Sequence, residues 1–137
     1  MSYEKLDVYK LAVELRTTVT RAVGKGASRD LRDQFGRASS SVILNLAEGA
    51  GRWDAADKRR FYLIARGSAF ETAAALTLLR AESALTAQQY AAAKQLVIRV
   101  MAMLTNLAKR PVPAPASPPS SPAPLAPPGP AELGVGR

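Results

Sequence analysis

The chain is 137 residues long, carries a net charge of +8 and contains neither cysteine nor histidine. Disulfides, zinc–thiolate sites and thiol chemistry are thereby excluded, and so is the commonest general base and metal ligand. No apolar run approaches the ~20 residues of a membrane span and no leader pattern opens the chain, so a soluble cytoplasmic protein without a cofactor is expected.

All 10 prolines lie between Pro111 and Pro130. This divides the chain into a proline-free body, residues 1–110, and a Pro/Ala/Ser-rich tail, residues 111–137. The tail cannot build a core, and its composition predicts disorder with polyproline II character. Pro115-Ala-Ser-Pro118 formally fits a PxxP ligand, although a passive extension suffices to explain it. Glu132 and Arg137 cancel, so the excess charge belongs to the body: 18 of the 19 basic and 10 of the 11 acidic residues lie there. Such an excess favours phosphate-bearing partners without defining a site for them.

Within the body, apolar or small residues recur at alternating spacings of four and three, the signature of one helical face. The first stripe is Val8, Ala12, Leu15, Val19 and Ala22, stopped by Gly24 and Gly26. Ser28 is a candidate N-cap for a second helix with Leu31, Phe35, Ala38, Val42 and then Asn45, ended by Gly49 and Gly51. Asp54 caps a third, up to ~30 residues long, with Asp57 in its first turn and a stripe of Phe61, Ala65, Ser68, Thr72, Ala75 and Leu79. Thr86-Ala-Gln-Gln89 is a capping box opening a fourth, with Tyr90, Ala93, Val97, Val100, Leu104 and Leu107. That helix ends at Lys109-Arg110, before Pro111. Nothing alternates with period two, so the expected fold is all-α, an antiparallel up-down-up-down four-helix bundle.

The central hairpin carries polar and small residues where a regular stripe calls for large apolar ones. Gly67 and Ser68 are expected opposite Ala38 and Ser39, where small side chains allow close backbone approach despite the ~1 kcal/mol penalty of a helical glycine. Gly67→Leu should then be far worse than Gly67→Ala. Asn45, Glu48 and Arg52 can share one face, by their i, i+3 and i, i+4 spacings. Glu71 falls on a second stripe with Ile64, Ser68, Ala75 and Leu78, which points it toward an interface. A structural network, with Asn45 and Glu48 capping the hairpin end and Arg52 or Arg60 as counter-ion, is preferred to a catalytic carboxylate pair. Di-metal bundles need Glu-x-x-His, and Gly49-Ala-Gly51 is too short for a nucleotide-binding loop.

Arg52, Lys58, Arg59 and Arg60 crowd the same turn around Trp53. A tryptophan among cations can stack on an unpaired base while the cations hold phosphates. The alternative is a tryptophan that shields the hairpin end beneath a solvated charged face. Arg29, Arg32, Arg37, Arg66 and Arg99 are dispersed along the sequence. Leu11, Leu46, Leu76 and Val100 widen the apolar surface beyond one seam, which suggests association with further copies.

Taken together, Tyr3-Glu-Lys-Leu-Asp-Val-Tyr-Lys-Leu-Ala12, Asn45-Leu-Ala-Glu-Gly-Ala-Gly-Arg52 and Arg60-Phe-Tyr-Leu-Ile-Ala-Arg-Gly-Ser68 through Glu71 resemble a known family. It is the four-helix bundle family that includes proteins encoded in intervening sequences of bacterial 23S rRNA genes. The likeness spans residues 3 to about 108 and excludes the tail. It implies an antiparallel bundle assembled into homo-oligomeric rings, typically of five subunits. The chain is also similar to the accessory variability proteins of diversity-generating retroelements, basic pentamers that bind nucleic acid and partner a reverse transcriptase. No catalytic residues come with either group. Leu44 stands where the family pattern has serine before the asparagine, which should make the hairpin more apolar.

The leading expectation is therefore a non-enzymatic oligomer whose basic surface engages RNA or DNA. The candidate contacts are Arg52, Trp53, Lys58, Arg59, Arg60 and Arg66, and the structural signature comprises Asn45, Glu48, Gly49, Gly51, Arg52, Gly67, Ser68 and Glu71. The alternatives are a retroelement accessory protein that binds a reverse transcriptase and its RNA, and a purely structural adaptor.

Overall fold

The computed structural model describes residues 3–110; the tail and the readings placed on it lie outside the described residues. Among those residues there are four helices and no strand: α1 (Tyr3–Ala22), α2 (Arg29–Ala50), α3 (Ala55–Ala81) and α4 (Ala87–Lys109). Their starts follow from local chemistry. Ser28, Asp54 and Thr86 have extended backbones, and their side chains accept from the N–H of Leu31, Asp57 and Gln89. Gln89 returns the bond to the Thr86 N–H at 2.9 Å, which completes the capping box.

Each helix packs its backbone on its neighbours in a closed order, α1 on α2, α2 on α3, α3 on α4 and α4 on α1, while across the diagonal Lys5 of α1 reaches the Tyr62 ring of α3, 5.6 Å from its centroid. Cross-links fix the directions. Gly49 meets Tyr62 and Ser41 meets Ser68 between α2 and α3, Arg66 reaches Thr105 between α3 and α4, and Glu4 pairs with Arg110 between α1 and α4. In each sequential pair the contacting positions advance along one helix as they fall back along the other, so neighbouring rods run antiparallel.

The stripes read from spacing form the core. Val8, Ala12, Leu15 and Val19 of α1 and Ala93, Val97, Val100, Leu104 and Leu107 of α4 are all at most 3% exposed. Two details differ from the sequence reading. Tyr62 rather than Phe61 is the buried ring at the start of α3, and Leu46 rather than Asn45 closes the apolar stripe of α2. In addition, α2 continues through Gly49 and ends on the Gly51 N–H, which bonds the carbonyls of Ala47 and Glu48.

A third difference concerns association. Leu11, Leu46, Leu76 and Val100 are at most 9% exposed, so they fill the chain's own core and leave no excess surface. The large apolar side chains in solvent are others, among them Leu63, Ile64, Phe70 and Leu78 on the outer face of α3. Leu44 is 67% exposed and therefore adds nothing apolar to the hairpin seam.

The pole distant from the α2–α3 turn is tied by two bonds between loops. The Gly24 N–H bonds the Ala84 carbonyl at 3.2 Å, and the Ser28 N–H bonds Glu82 Oε1 at 3.2 Å. There α3 ends in a Schellman motif: Ser83 N–H to the Arg80 carbonyl and Ala84 N–H to the Leu79 carbonyl, both 2.9 Å. Ser83 takes the left-handed position, φ 59°, that glycine usually fills.

Candidate nucleic-acid interface

The α2–α3 seam holds the polar residues of the signature, in a different arrangement from the one spacing suggested. Ser68 meets Ser41, Oγ to Oγ at 2.7 Å, two to three residues nearer the turn than Ala38 and Ser39. The direction of that displacement follows from helix geometry. Side chains lean toward their own N-terminus, away from the turn on α2 and toward it on α3, so pairs that touch are offset along the rods. Asn45 Nδ2 donates to the Ser41 carbonyl at 2.8 Å and approaches Ser41 Oγ at 3.1 Å. Asn45 thus serves the seam and does not cap the hairpin end.

The close approach in the seam belongs to Gly49. A Cβ there would stand 2.8 Å from Tyr62 Cε1 and 3.1 Å from Phe61 Cβ, whereas one at Gly67 would meet nothing within 4 Å. Gly67 is exposed on the outer face of α3 and does not bring backbones together. Glu71 also lies in solvent, so within the chain it faces no interface. With Ser41 opposite Ser68, Glu71 sits about ten residues along the seam from Glu48, on the order of 15 Å. The two carboxylates form no pair.

The turn collects the charges. Arg52 Nη2 bonds Glu48 Oε2 at 2.7 Å, and both side chains are about half exposed. The guanidinium groups of Arg52 and Arg60 lie 4.8 and 4.4 Å from the Phe61 ring centroid. Arg60 also faces Asp57 at 3.9 Å. Lys58 Nζ donates to the last carbonyls of α2, Ala50 at 3.2 Å and Gly49 at 3.4 Å, countering the negative end of that helix. Arg59 is exposed and has no partner among the described residues. Arg66 does not join this cluster: its Nε donates to Thr105 Oγ1 at 2.7 Å, and its guanidinium lies over Phe70.

Trp53 is 99% exposed. It shields nothing, which disposes of the reading in which it covers the hairpin end. Leaving a large amphipathic ring wholly in water beside cations is what a stacking platform requires.

Two further features were not legible beforehand. An open groove of about 680 Å³ between α1 and α2 is lined by Arg16, Arg32 and Arg37 with Asp33, Ser40 and Asn45. Arg16 Nε donates to Ser40 Oγ there at 2.9 Å. A smaller, half-enclosed cleft of about 170 Å³ at the turn end gathers Lys5, Lys58, Arg59 and Arg110 around Ala55, Tyr62 and Leu107. Its cations come from α1, α3 and the residue that caps α4, far apart in sequence, so only the antiparallel packing brings them together. Burial of the Tyr62 hydroxyl pushes its pKa above the usual tyrosine value, with the charge of Lys58 working in the opposite direction.

These observations define an all-α bundle with a cationic pole that displays one bare aromatic ring. By the match of residues 4–106 to its model, the chain belongs to the 23S rRNA-intervening sequence protein family. A crystal structure of a protein with unknown function from the S23 ribosomal protein family of Bacteroides thetaiotaomicron VPI-5482 has a similar fold. Its TM-score is 0.71 at 21% identity, over 77% of this chain and 98% of that one. No match was found among curated proteins.

Proposed function

We propose that this chain is a non-enzymatic, self-associating protein that binds single-stranded nucleic acid, of the rRNA intervening-sequence type, at the pole formed by the α2–α3 turn. The observation that carries this reading is the full exposure of Trp53 among Arg52, Lys58, Arg59 and Arg60. Bases stack on the ring without regard to sequence, and the cations follow the backbone. The reading places the protein in the cytoplasm, where such a partner is found. Glu48 is engaged with Arg52, and Glu71 stands apart from it, so no reaction is assigned to either.

Self-association is supported by the outer face of α3, where Leu63, Ile64, Phe70 and Leu78 are 41–50% exposed around the small Gly67. Large side chains beside a gap make a surface that a second copy can complement, and a ring of copies would multiply the cationic poles. The same face supports a second reading, an accessory protein that docks a reverse transcriptase.

Trp53 is the only tryptophan, so its fluorescence reports on its own surroundings. Titration with single-stranded RNA should quench it, with an affinity that falls linearly on a log–log plot against salt. Unchanged fluorescence and no binding at low salt would remove the nucleic-acid reading. Light scattering gives the subunit number, and a monomer would remove the ring.

A further inference from the structure

The cleft at the turn end has a property that ordinary nucleic-acid affinity does not need. Tyr62 is 3% exposed and lines the cleft, and its hydroxyl is buried with no hydrogen-bond partner among the described residues. A buried hydroxyl without a partner is costly and marks a place where one is supplied from outside. The charge of Lys58 acts on that hydroxyl, and Lys58 belongs to the same lining.

The rest of the lining says what the partner is. Lys5, Lys58, Arg59 and Arg110 line it, with no acidic residue in the lining among the described residues. Of the nearby carboxylates, Glu4 pairs with Arg110 and offsets part of its charge, Asp54 caps α3, and Asp57 faces Arg60. The cleft also contains Ala55, the first residue of the 27-residue α3, whose N–H has no acceptor within its helix. A helix N-terminus, convergent cations and an unpaired hydroxyl donor together suit a phosphate.

Charge narrows the choice further. A terminal phosphate carries a second negative charge that an internal phosphodiester lacks, and a half-enclosed cleft lined by four cations favours it.

We propose that the cleft between Lys5, Lys58, Arg59, Tyr62 and Arg110 seats a terminal phosphate, the Tyr62 hydroxyl donating to its innermost oxygen. The source we favour, the 5′ end of a nucleic acid, rests on the reading above.

The test uses the full chain with one oligoribonucleotide carrying either a 5′-phosphate or a 5′-hydroxyl, and separately with inorganic phosphate alone. The phosphorylated strand should bind about tenfold more tightly. Tyr62→Phe, which keeps the ring, should erase that preference while the 5′-hydroxyl strand still binds. Equal affinity for both strands, with no rise in melting temperature in inorganic phosphate, overturns the cleft and leaves nucleic-acid binding intact. A phosphate-dependent rise lost in Tyr62→Phe, with neither strand bound, supports the cleft for free phosphate and removes the nucleic-acid reading. Failure of both arms removes both.

Discussion

Gly49 and Tyr62 touch across the α2–α3 seam so closely that a methyl group on Gly49 would stand 2.8 Å from the ring. The ring is buried and cannot swing aside, so the helix propensity gained by alanine is outweighed by overpacking. Gly49→Ala should destabilise the chain by about 1–3 kcal/mol. Gly67→Ala, in open space, should stabilise it by up to ~1 kcal/mol. Urea denaturation of the two variants reverses this order if Gly67 is the close contact after all. Gly67→Leu should fold normally, contrary to the expectation from spacing, and should alter only association.

The polar seam should behave as a unit. Ser41 joins Ser68 at 2.7 Å and receives Asn45 at 2.8 and 3.1 Å, so removing one member strands the others. Ser41→Ala, Ser68→Ala and Asn45→Ala should each cost about 1 kcal/mol. The double change Ser41→Ala/Ser68→Ala should cost less than the sum, and strict additivity in a double-mutant cycle would show that the serines do not interact.

At the cationic pole, Trp53→Ala should leave stability within about 0.5 kcal/mol of the parent, because the ring buries nothing. Binding of single-stranded RNA should weaken by about 1–3 kcal/mol. Arg52→Glu/Arg59→Glu/Arg60→Glu should abolish polyanion binding and leave helicity unchanged, as judged by circular dichroism; unaltered affinity would move attention to the Arg16, Arg32 and Arg37 groove.

The end of α3 offers a stabilising change. Ser83 holds φ 59° at the Schellman position, a conformation that costs a residue with a side chain roughly 1 kcal/mol or more. Ser83→Gly should raise the melting temperature by a few degrees, since the relief exceeds the extra backbone entropy of glycine. A lower melting temperature would contradict this.

Tyr62 gives the bundle an alkaline limit. Its folded pKa lies above the unfolded value of 10.0 because burial disfavours the phenolate. The folded state therefore binds that proton more firmly, and the stability it contributes is complete below pH 10 and declines as pH rises toward the folded pKa. Tyr62→Phe should flatten the fall in stability above pH 10; an identical slope in both proteins would assign the effect to another group.

Much of the bundle was legible in the sequence because caps and periodic burial are local. Ser28, Asp54 and Thr86 sit where spacing put them, and the stripes of α1 and α4 are buried except at their ends, where Ala22 and Tyr90 are partly exposed. The seam was legible in composition but not in register, because the lean of side chains depends on both rods at once. That is why spacing alone sets Gly67 opposite Ala38 when Gly49 makes the contact, and places Asn45 at the hairpin end. Trp53 left two readings open, since sequence distinguishes a covering ring from a bare one only through its neighbours in space. The cleft was invisible for the same reason: Lys5, Arg59 and Arg110 lie more than fifty residues apart in two steps along the chain.

Both Lys5 and Arg110 stand at the rim of that cleft, so each end of the bundle opens onto its mouth. A purification handle fused just ahead of α1 would crowd the doorway and mask whatever enters it. The opposite pole, where the loops are stitched by Ser28 and Glu82, is the better place to attach a dye or a surface anchor.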